Sequence, residues 1–377
     1  VTPRITLRDV ASRAAVSPKT VSRVVNGDAH VTPSTRARVQ QAITDLGFQP
    51  NLLARSLRMG RADVIGLVVE SLADPFFARL TSAVEQVAHE RGQAVMVSSV
   101  GNRAPEREAL VVESMLVRQV AGLIVAPMAR HHAYLAETLQ HTPVVFVDRL
   151  PEGVSSDAVL IDDLSAAEVA TRHLLEHGHR RVGFLGSELR NPTTRLRLAG
   201  YRRAMSEHGL VADDSLVAVG AGSAREATAA AVQLLAGPQP PTAMFSSNMR
   251  CSLGLVPLLH SARRTDVAVV SFDDFPMADS LAPAVTVIDH DPEVIGRAAA
   301  ERLFRRIDDP SAPVETVLVP FRLVPRGSGE LRPPVRAVPA HHDHDRLARR
   351  REPGMEHDRG EGRASTMASP HVQEEAR

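Results

Sequence analysis

Between positions 17 and 23 the chain sets the hydroxyls of Ser17, Thr20 and Ser22 beside two cations, Lys19 and Arg23. Ser17 is a good helix cap, and Pro18 fits the first helical position, where its missing N–H costs nothing. A helix starting there buries Val21, Val24 and Val25, leaves Pro18, Lys19, Ser22 and Arg23 on or near the outer face, and ends at Asn26-Gly27. The chemistry open to that face is hydrogen bonding to nucleic acid. Arg23 can span guanine O6 and N7 with two donors, worth ~1–3 kcal/mol of discrimination, and Lys19 can meet a base edge or a phosphate. A solvated helix face or a protein-binding three-helix bundle would carry the same pattern.

The elements around this face position it. Thr6 precedes Leu7, Val10, Ala11 and Ala14, the spacing of a capped first helix with an acid, Asp9, at its third position. Ala15-Val16 is a short connection. Thr32-Pro33 opens a third helix whose Val39, Ile43 and Leu46 close a small core before Gly47. Two helices joined by a tight turn can place the N-terminal end of the second in a major groove. Charge agrees: residues 1–60 hold nine Lys or Arg against three acids, although the whole chain is neutral, and residues 61–330 hold 26 arginines against 33 acids. Asn51 caps a candidate short helix, Leu52 to Arg58, too short to be stable alone. Leu57, among basic residues, could wedge into a minor groove, or the segment could be a linker helix packed on the next domain.

The stretches Thr6 to Ala11, Val16 to Asn26, Pro50-Asn51 and Ala54 to Leu57 closely resemble the lactose/galactose repressor family. The resemblance implies that Pro18, Lys19 and Arg23 read bases, that Thr6, Ser17, Ser22 and Asn26 anchor phosphates, and that Ala54 and Leu57 enter the minor groove on a hinge helix. Thr20 and Asn51, inside the matched stretches, complete the candidate DNA-binding set. Pro18 has no side-chain donor, so base reading there would be by apolar contact.

At 377 residues the chain suits two or three domains. A single cysteine, Cys251, excludes an internal disulfide framework and fits a reducing compartment. No run approaches the ~18 apolar residues of a membrane span, and no signal pattern is seen, so a cytoplasmic location is expected. From residue 61, apolar runs at 64–69, 94–97, 123–126, 144–147, 182–185, 243–245 and 267–272 read as strands, with helical patterns at 77–91 and 166–177 between them. Continuous apolar strands with helical crossovers argue for parallel sheets covered on both faces, in two lobes.

Ligands of such sheets sit beyond the carboxyl ends of the strands. Those ends carry Asp74-Pro75-Phe76-Phe77, Met128, Asp148-Arg149, Asn248 and Asp273-Asp274. Acids, amides and arginines beside apolar walls suit a polyhydroxylated ligand. Turn formation or helix capping would explain any one of them; their recurrence at strand ends points to a site. His290 reads as a loop residue near this cleft, although His290-Asp291 could also be called a proton-transfer pair without a third member. The family resemblance continues over residues 61–328 and implies a two-lobed periplasmic-binding-protein fold, with Asp148, Arg197, Asn248 and Asp273 as effector contacts. Met249 stands where the family commonly has Asp, and Gly222 where some relatives carry a stacking aromatic.

No phosphate loop, nucleophile elbow or zinc-protease motif appears, so no catalytic residue, metal or cofactor is expected. His173 and His177, four apart with His179 nearby, could form a metal pair but fit a helix ending at Gly178. The expected organisation is an all-α helix-turn-helix head over 1–50, a hinge helix and linker over 51–60, a two-lobed α/β effector-binding and dimerisation domain over 61–330, and a disordered tail over 331–377 that lacks a heptad repeat. The expected function is a repressor of carbohydrate-use genes, a homodimer on a pseudo-palindromic double-stranded operator, tuned by a sugar or sugar derivative. The alternatives are a nucleoside-responsive regulator, or a sugar-binding protein or enzyme without a DNA role.

Overall fold

The computed structural model describes residues 5–25, 28, 30–48, 63–101 and 106–334. In the head, α1 (Leu7–Ala14) begins at a full capping box: Thr6 Oγ1 accepts from the Asp9 N–H at 3.4 Å, and Asp9 accepts in return from the Thr6 N–H at 2.7 Å. α2 (Pro18–Val25) starts on Ser17, whose hydroxyl accepts from the Thr20 N–H at 3.1 Å. α3 (Pro33–Leu46) is capped by Thr32 and stopped by Gly47 at φ 60°, a left-handed position that glycine takes without steric cost. Val10, Ala11, Ala14, Val21, Val24, Val39, Ala42 and Phe48 form the core. Ile43, Leu46 and Val25 border it rather than fill it, because Ala42 and the chain turning back at Phe48 take the centre.

The body holds two six-stranded sheets. The first runs β2-β1-β3-β4-β5-β11, from β1 (Val64–Val69), β2 (Ala94–Ser99), β3 (Leu123–Val125), β4 (Val144–Val147), β5 (Asp157–Leu160) and β11 (Thr316–Leu318), all parallel. The second runs β7-β6-β8-β9-β10-β12, from β6 (Val182–Leu185), β7 (Val217–Ala218), β8 (Ala243–Ser246), β9 (Ala268–Phe272), β10 (Thr286–Asp289) and β12 (Arg322–Val324). Among the described residues the β10–β12 pairing alone is antiparallel. The strands are apolar on both faces because helices cover both. The first sheet is covered by α4 (Pro75–Glu90), α5 (Arg107–Val117) and α10 (Pro292–Asp308), the second by α6 (Asp163–Glu176), α7 (Pro192–Glu207), α8 (Ala224–Ala236) and α9 (Met249–Ser261).

The chain passes between the lobes after β5, after β10 and after β11. One apolar cluster, including Phe76, Leu80, Phe184, Tyr201, Phe272 and Leu303, runs through both. Close helix pairs meet at glycine: a Cβ on Gly200 of α7 would collide with the Leu164 carbonyl of α6, and one on Gly296 of α10 with the Leu80 carbonyl of α4. Asp157, fully buried at the start of β5, accepts from Arg302 (2.8 Å), Arg306 (2.9 Å) and the Glu315 N–H (2.9 Å), tying α10 and β11 to the sheet. Residues 331–334, the first of the expected tail, lie on the body: Leu331 packs on the core, and its carbonyl is 2.8 Å from His179 Nε2. Among the described residues no helix is long and apolar enough to cross a membrane.

Candidate nucleic-acid interface and interlobe cleft

The head presents one polar edge. Thr6, Ser17, Pro18, Lys19 and Arg23 are exposed, and Thr20 and Ser22 are half-buried. The buried Val21 and Val24 fix the rotation of α2, so Lys19 and Arg23, four apart, share its outer face. Arg23 is not unengaged: its Nε lies 3.4 Å from Asp28 Oδ2, which orients the guanidinium while leaving its side chain more than half exposed. The His30 N–H and imidazole hold the Asp28 carboxyl below its ordinary value, so it stays ionised as that partner. Arg13 joins α1 to α3 through Asp45 at 2.9 Å. Asn26, Asn51, Ala54 and Leu57, with the expected hinge helix, lie outside the described residues.

In the body, strand order reverses beside β1 and β6, the position at which open sheets of this kind offer a ligand cleft, and polar and charged groups gather there. Phe76, Asp148, Arg149, Arg197, Asn248, Asp273 and His290 line one cavity between the lobes, and Met128 lines an adjoining one that shares Glu70, Arg149 and Arg250. Asp148 and Asp273 both take left-handed backbone, φ 70° and 73°, which Asp tolerates better than most residues and which aims each carboxylate off its strand end. His290 Nε2 meets Asp273 Oδ1 at 2.6 Å, while its Nδ1 is buried with no hydrogen-bond partner. Burial alone would raise the Asp273 carboxyl; the His290 hydrogen bond and charge, with Arg197, hold it below its ordinary value.

Arg197, buried, donates from Nε to Asp163 at 2.7 Å and from Nη1 to the Ser247 carbonyl at 2.6 Å, with its face 3.6 Å from the Phe272 ring centre. Burial pushes the Asp163 carboxyl up to about 6 against the pull of Arg197. Arg149 Nη2 bonds Glu70 at 3.0 Å and Asp148 at 2.7 Å. Burial, then the nearby charge of Asp273, pushes the Asp74 carboxyl up to about 6. Beside this cleft a cavity of about 350 Å³ opens between the start of α4 and the loop after β9, sharing Phe76, Asp273 and His290.

These features, a capped helix-turn-helix and a two-lobed sheet body with a polar cleft at its switch points, can be compared with known proteins. Residues 6–51 match the family model described as bacterial regulatory proteins, lacI family, and residues 171–329 match a periplasmic binding protein-like domain. The HTH-type transcriptional regulator GalS of Salmonella typhimurium (strain LT2) is 34% identical over 301 residues, 79% of this chain and 88% of that protein. The chain belongs to the lacI family. The ribose operon repressor of Escherichia coli K12 is 31% identical over 329 residues, 86% of this chain and 99% of that protein. Among solved structures, the lac repressor dimer bound to operator and the anti-inducer ONPF matches with a TM-score of 0.78 at 27% identity, over 87% of this chain and 99% of that one. The transcriptional regulator CelR in complex with cellobiose matches at 0.63 and 30% identity, over 86% and 100%.

This lacI-family chain is therefore a DNA-binding transcriptional regulator, and its cleft differs in detail from the sequence reading. Asn248 is the N-cap of α9: its Oδ1 accepts from the Cys251 N–H at 2.9 Å and its Nδ2 donates to Ser187 at 2.8 Å, so capping occupies the side chain that also lines the cleft. His290 pairs with Asp273 rather than Asp291, which caps α10 and binds Arg79. His173 faces Glu330 and His177 the His173 carbonyl; among the described residues no group of three His, Cys, Asp or Glu is arranged to hold a metal ion. Glu70, Ser187, Asn191, Thr193 and Arg250 line the cleft and escaped the sequence reading. Asn191-Pro192 carries a visible helix-start signal; Glu70 acquires its meaning from Arg149 and Arg250, and Arg250 from Glu70 and Asp74.

Proposed function

We propose that this regulator is a homodimeric repressor of carbohydrate-use genes, whose affinity for a pseudo-palindromic operator is set by a sugar or sugar derivative bound between the lobes. The observation that carries the reading is the convergence of Asp148, Arg149, Arg197, Asn248 and Asp273 on one interlobe cavity, where carboxylates and guanidinium groups can each engage neighbouring hydroxyls. Gly222, in the adjoining cavity, offers no ring for a nucleobase to stack on, which favours the sugar over the nucleoside. GalS, the ribose operon repressor and the cellobiose complex of CelR support the same class by their names.

In this reading residues 1–50 bind DNA through Thr6, Ser17, Pro18, Lys19, Thr20, Ser22, Arg23 and Asn26, with Asn51, Ala54 and Leu57 of a hinge acting in the minor groove. Residues 61–330 bind effector and pair the protomers, Phe76, Met128 and His290 completing the effector wall. Binding differs in strength between two lobe arrangements and so biases the operator-bound state, a coupling of ~1–3 kcal/mol in typical cases. No catalytic role is assigned, and the protein acts in the cytoplasm with the DNA. The test is selection of bound sites from fragmented genomic DNA, followed by operator titration over a salt series with and without monosaccharides and disaccharides. Operator affinity should fall linearly in log salt, with a slope of about −0.9 per phosphate neutralised. A salt-independent interaction, or one that no sugar changes, refutes the corresponding half.

A further inference from the structure

We infer that Arg250 and Glu70 form a strap across the cleft, which an effector must displace to enter; this rests on the reading of the cleft as the effector site. Glu70 directly follows β1 in the first lobe, and Arg250 stands in the first turn of α9 in the second. Arg250 Nη2 lies 3.0 Å from Glu70 Oε1 and 3.6 Å from Asp74 Oδ2, so its guanidinium reaches from one lobe into the other. Glu70 is about 5% exposed and receives a second guanidinium, that of Arg149 from its own lobe, on its other oxygen at 3.0 Å. The two arginines hold the carboxyl below its ordinary value although burial opposes them.

Geometry makes the strap competitive with a ligand. Around these groups the cleft leaves about 50 Å³, space for a water or two, where a small-molecule site takes ~300 Å³ or more. The cavity of about 350 Å³ beyond Phe76 and His290 does not reach Glu70 or Arg250, so a hexose held among the cleft's own arginines and carboxylates requires the lobes to part, and parting them separates Arg250 from Glu70. The bond is placed to be broken: Arg250 keeps 19% of its side chain exposed and can be rehydrated, whereas Glu70 retains Arg149 and is not left as an orphaned buried charge. A second cross-lobe pair, Arg195–Glu152 at 3.6 Å, sits at the exposed rim with both partners about half exposed; such a pair contributes little.

The test compares the full-length protein with Arg250→Met, which removes the cross-lobe bond and keeps the stem, and with Arg195→Ala as the rim control. Hydrogen exchange without added sugar should speed up in Arg250→Met at residues 70–76 and 247–252 and remain unchanged at residues 64–69; in Arg195→Ala, whose guanidinium also donates to the Leu189 and Arg190 carbonyls, exchange should remain unchanged at all three of these segments. Calorimetric titration with a sugar that binds the parent should show about fivefold tighter binding in Arg250→Met, ~1 kcal/mol at 1.4 kcal/mol per factor of ten. Unchanged exchange overturns the strap. Weaker sugar binding in Arg250→Met also overturns it, because Arg250 would then be an effector contact. If no sugar binds the parent, the sugar assignment fails, and the exchange result alone decides the strap.

Discussion

Asp74 ties the electrostatics of the cleft to stability in a way that one substitution isolates. Its carboxyl caps α4, accepting from the Phe76 N–H at 3.1 Å, while burial and then the charge of Asp273 push it up to about 6 from an ordinary 3.8. A raised value in the folded state means the folded protein binds that proton more tightly than the unfolded chain. The stability this confers is fully present below pH 3.8, is lost as pH rises from there through 6, and stays lost above. Asp74→Asn keeps the capping oxygen and cannot ionise. Raising the carboxyl from 3.8 to about 6 corresponds to ~3 kcal/mol, an upper figure because the Asp74 side chain retains 19% exposure. At ~2–4 °C per kcal/mol for a domain of this size, the variant should melt several degrees above the parent at pH 7–8. The gap should narrow through pH 5 and approach its minimum near pH 4. Thermal denaturation of both proteins followed by circular dichroism at half-unit steps checks it. A gap independent of pH, or one that widens on acidification, refutes the reasoning, since either would mean that Asp74 is charged at no cost.

Arg23→Ala should weaken operator binding by ~1–3 kcal/mol and flatten preference at one base position, measured by gel shift against a set of single-base operator variants; equal losses on all sequences would make Arg23 a phosphate contact. Leu57→Ala should reduce operator bending in a permutation assay while circular dichroism shows the head still folded, and unchanged bending would remove Leu57 from the minor groove. Asp157→Ala should destabilise the body by ~3 kcal/mol, because it withdraws the shared acceptor of Arg302 and Arg306; a loss under 1 kcal/mol by urea denaturation would show that Glu315 and nearby carbonyls suffice.

The head was legible because its signals are local: Thr6 with Asp9, Ser17 with Pro18 and Thr32 with Pro33 each specify a helix start within four residues. The long apolar strands were legible for the same reason, β1, β4 and β6 matching their sequence ranges residue for residue. β5 and β10 escaped because they are four-residue strands that open on a polar residue, Asp157 and Thr286; Asp157 is tolerated inside because arginines 145 and 149 positions away reach it. β12 escaped because it is a three-residue edge strand whose pairing partner is set by the chain returning from the other lobe. The cleft divides along the same line. Asp148, Arg149 and Asp273 announce themselves by following apolar strands, and Glu70 follows β1 in the same way; what no local pattern supplies is its partner Arg250, 180 positions away. A charge next to a buried strand end reads as a solvated turn until its counter-charge is placed. Loop-closure entropy grows only as the logarithm of separation, so a fold can hold such distant pairs at little extra cost once its sheets have formed. The cross-lobe pair of this cleft is accordingly the part that local patterns encode least, since only the packed lobes bring Glu70 and Arg250 together.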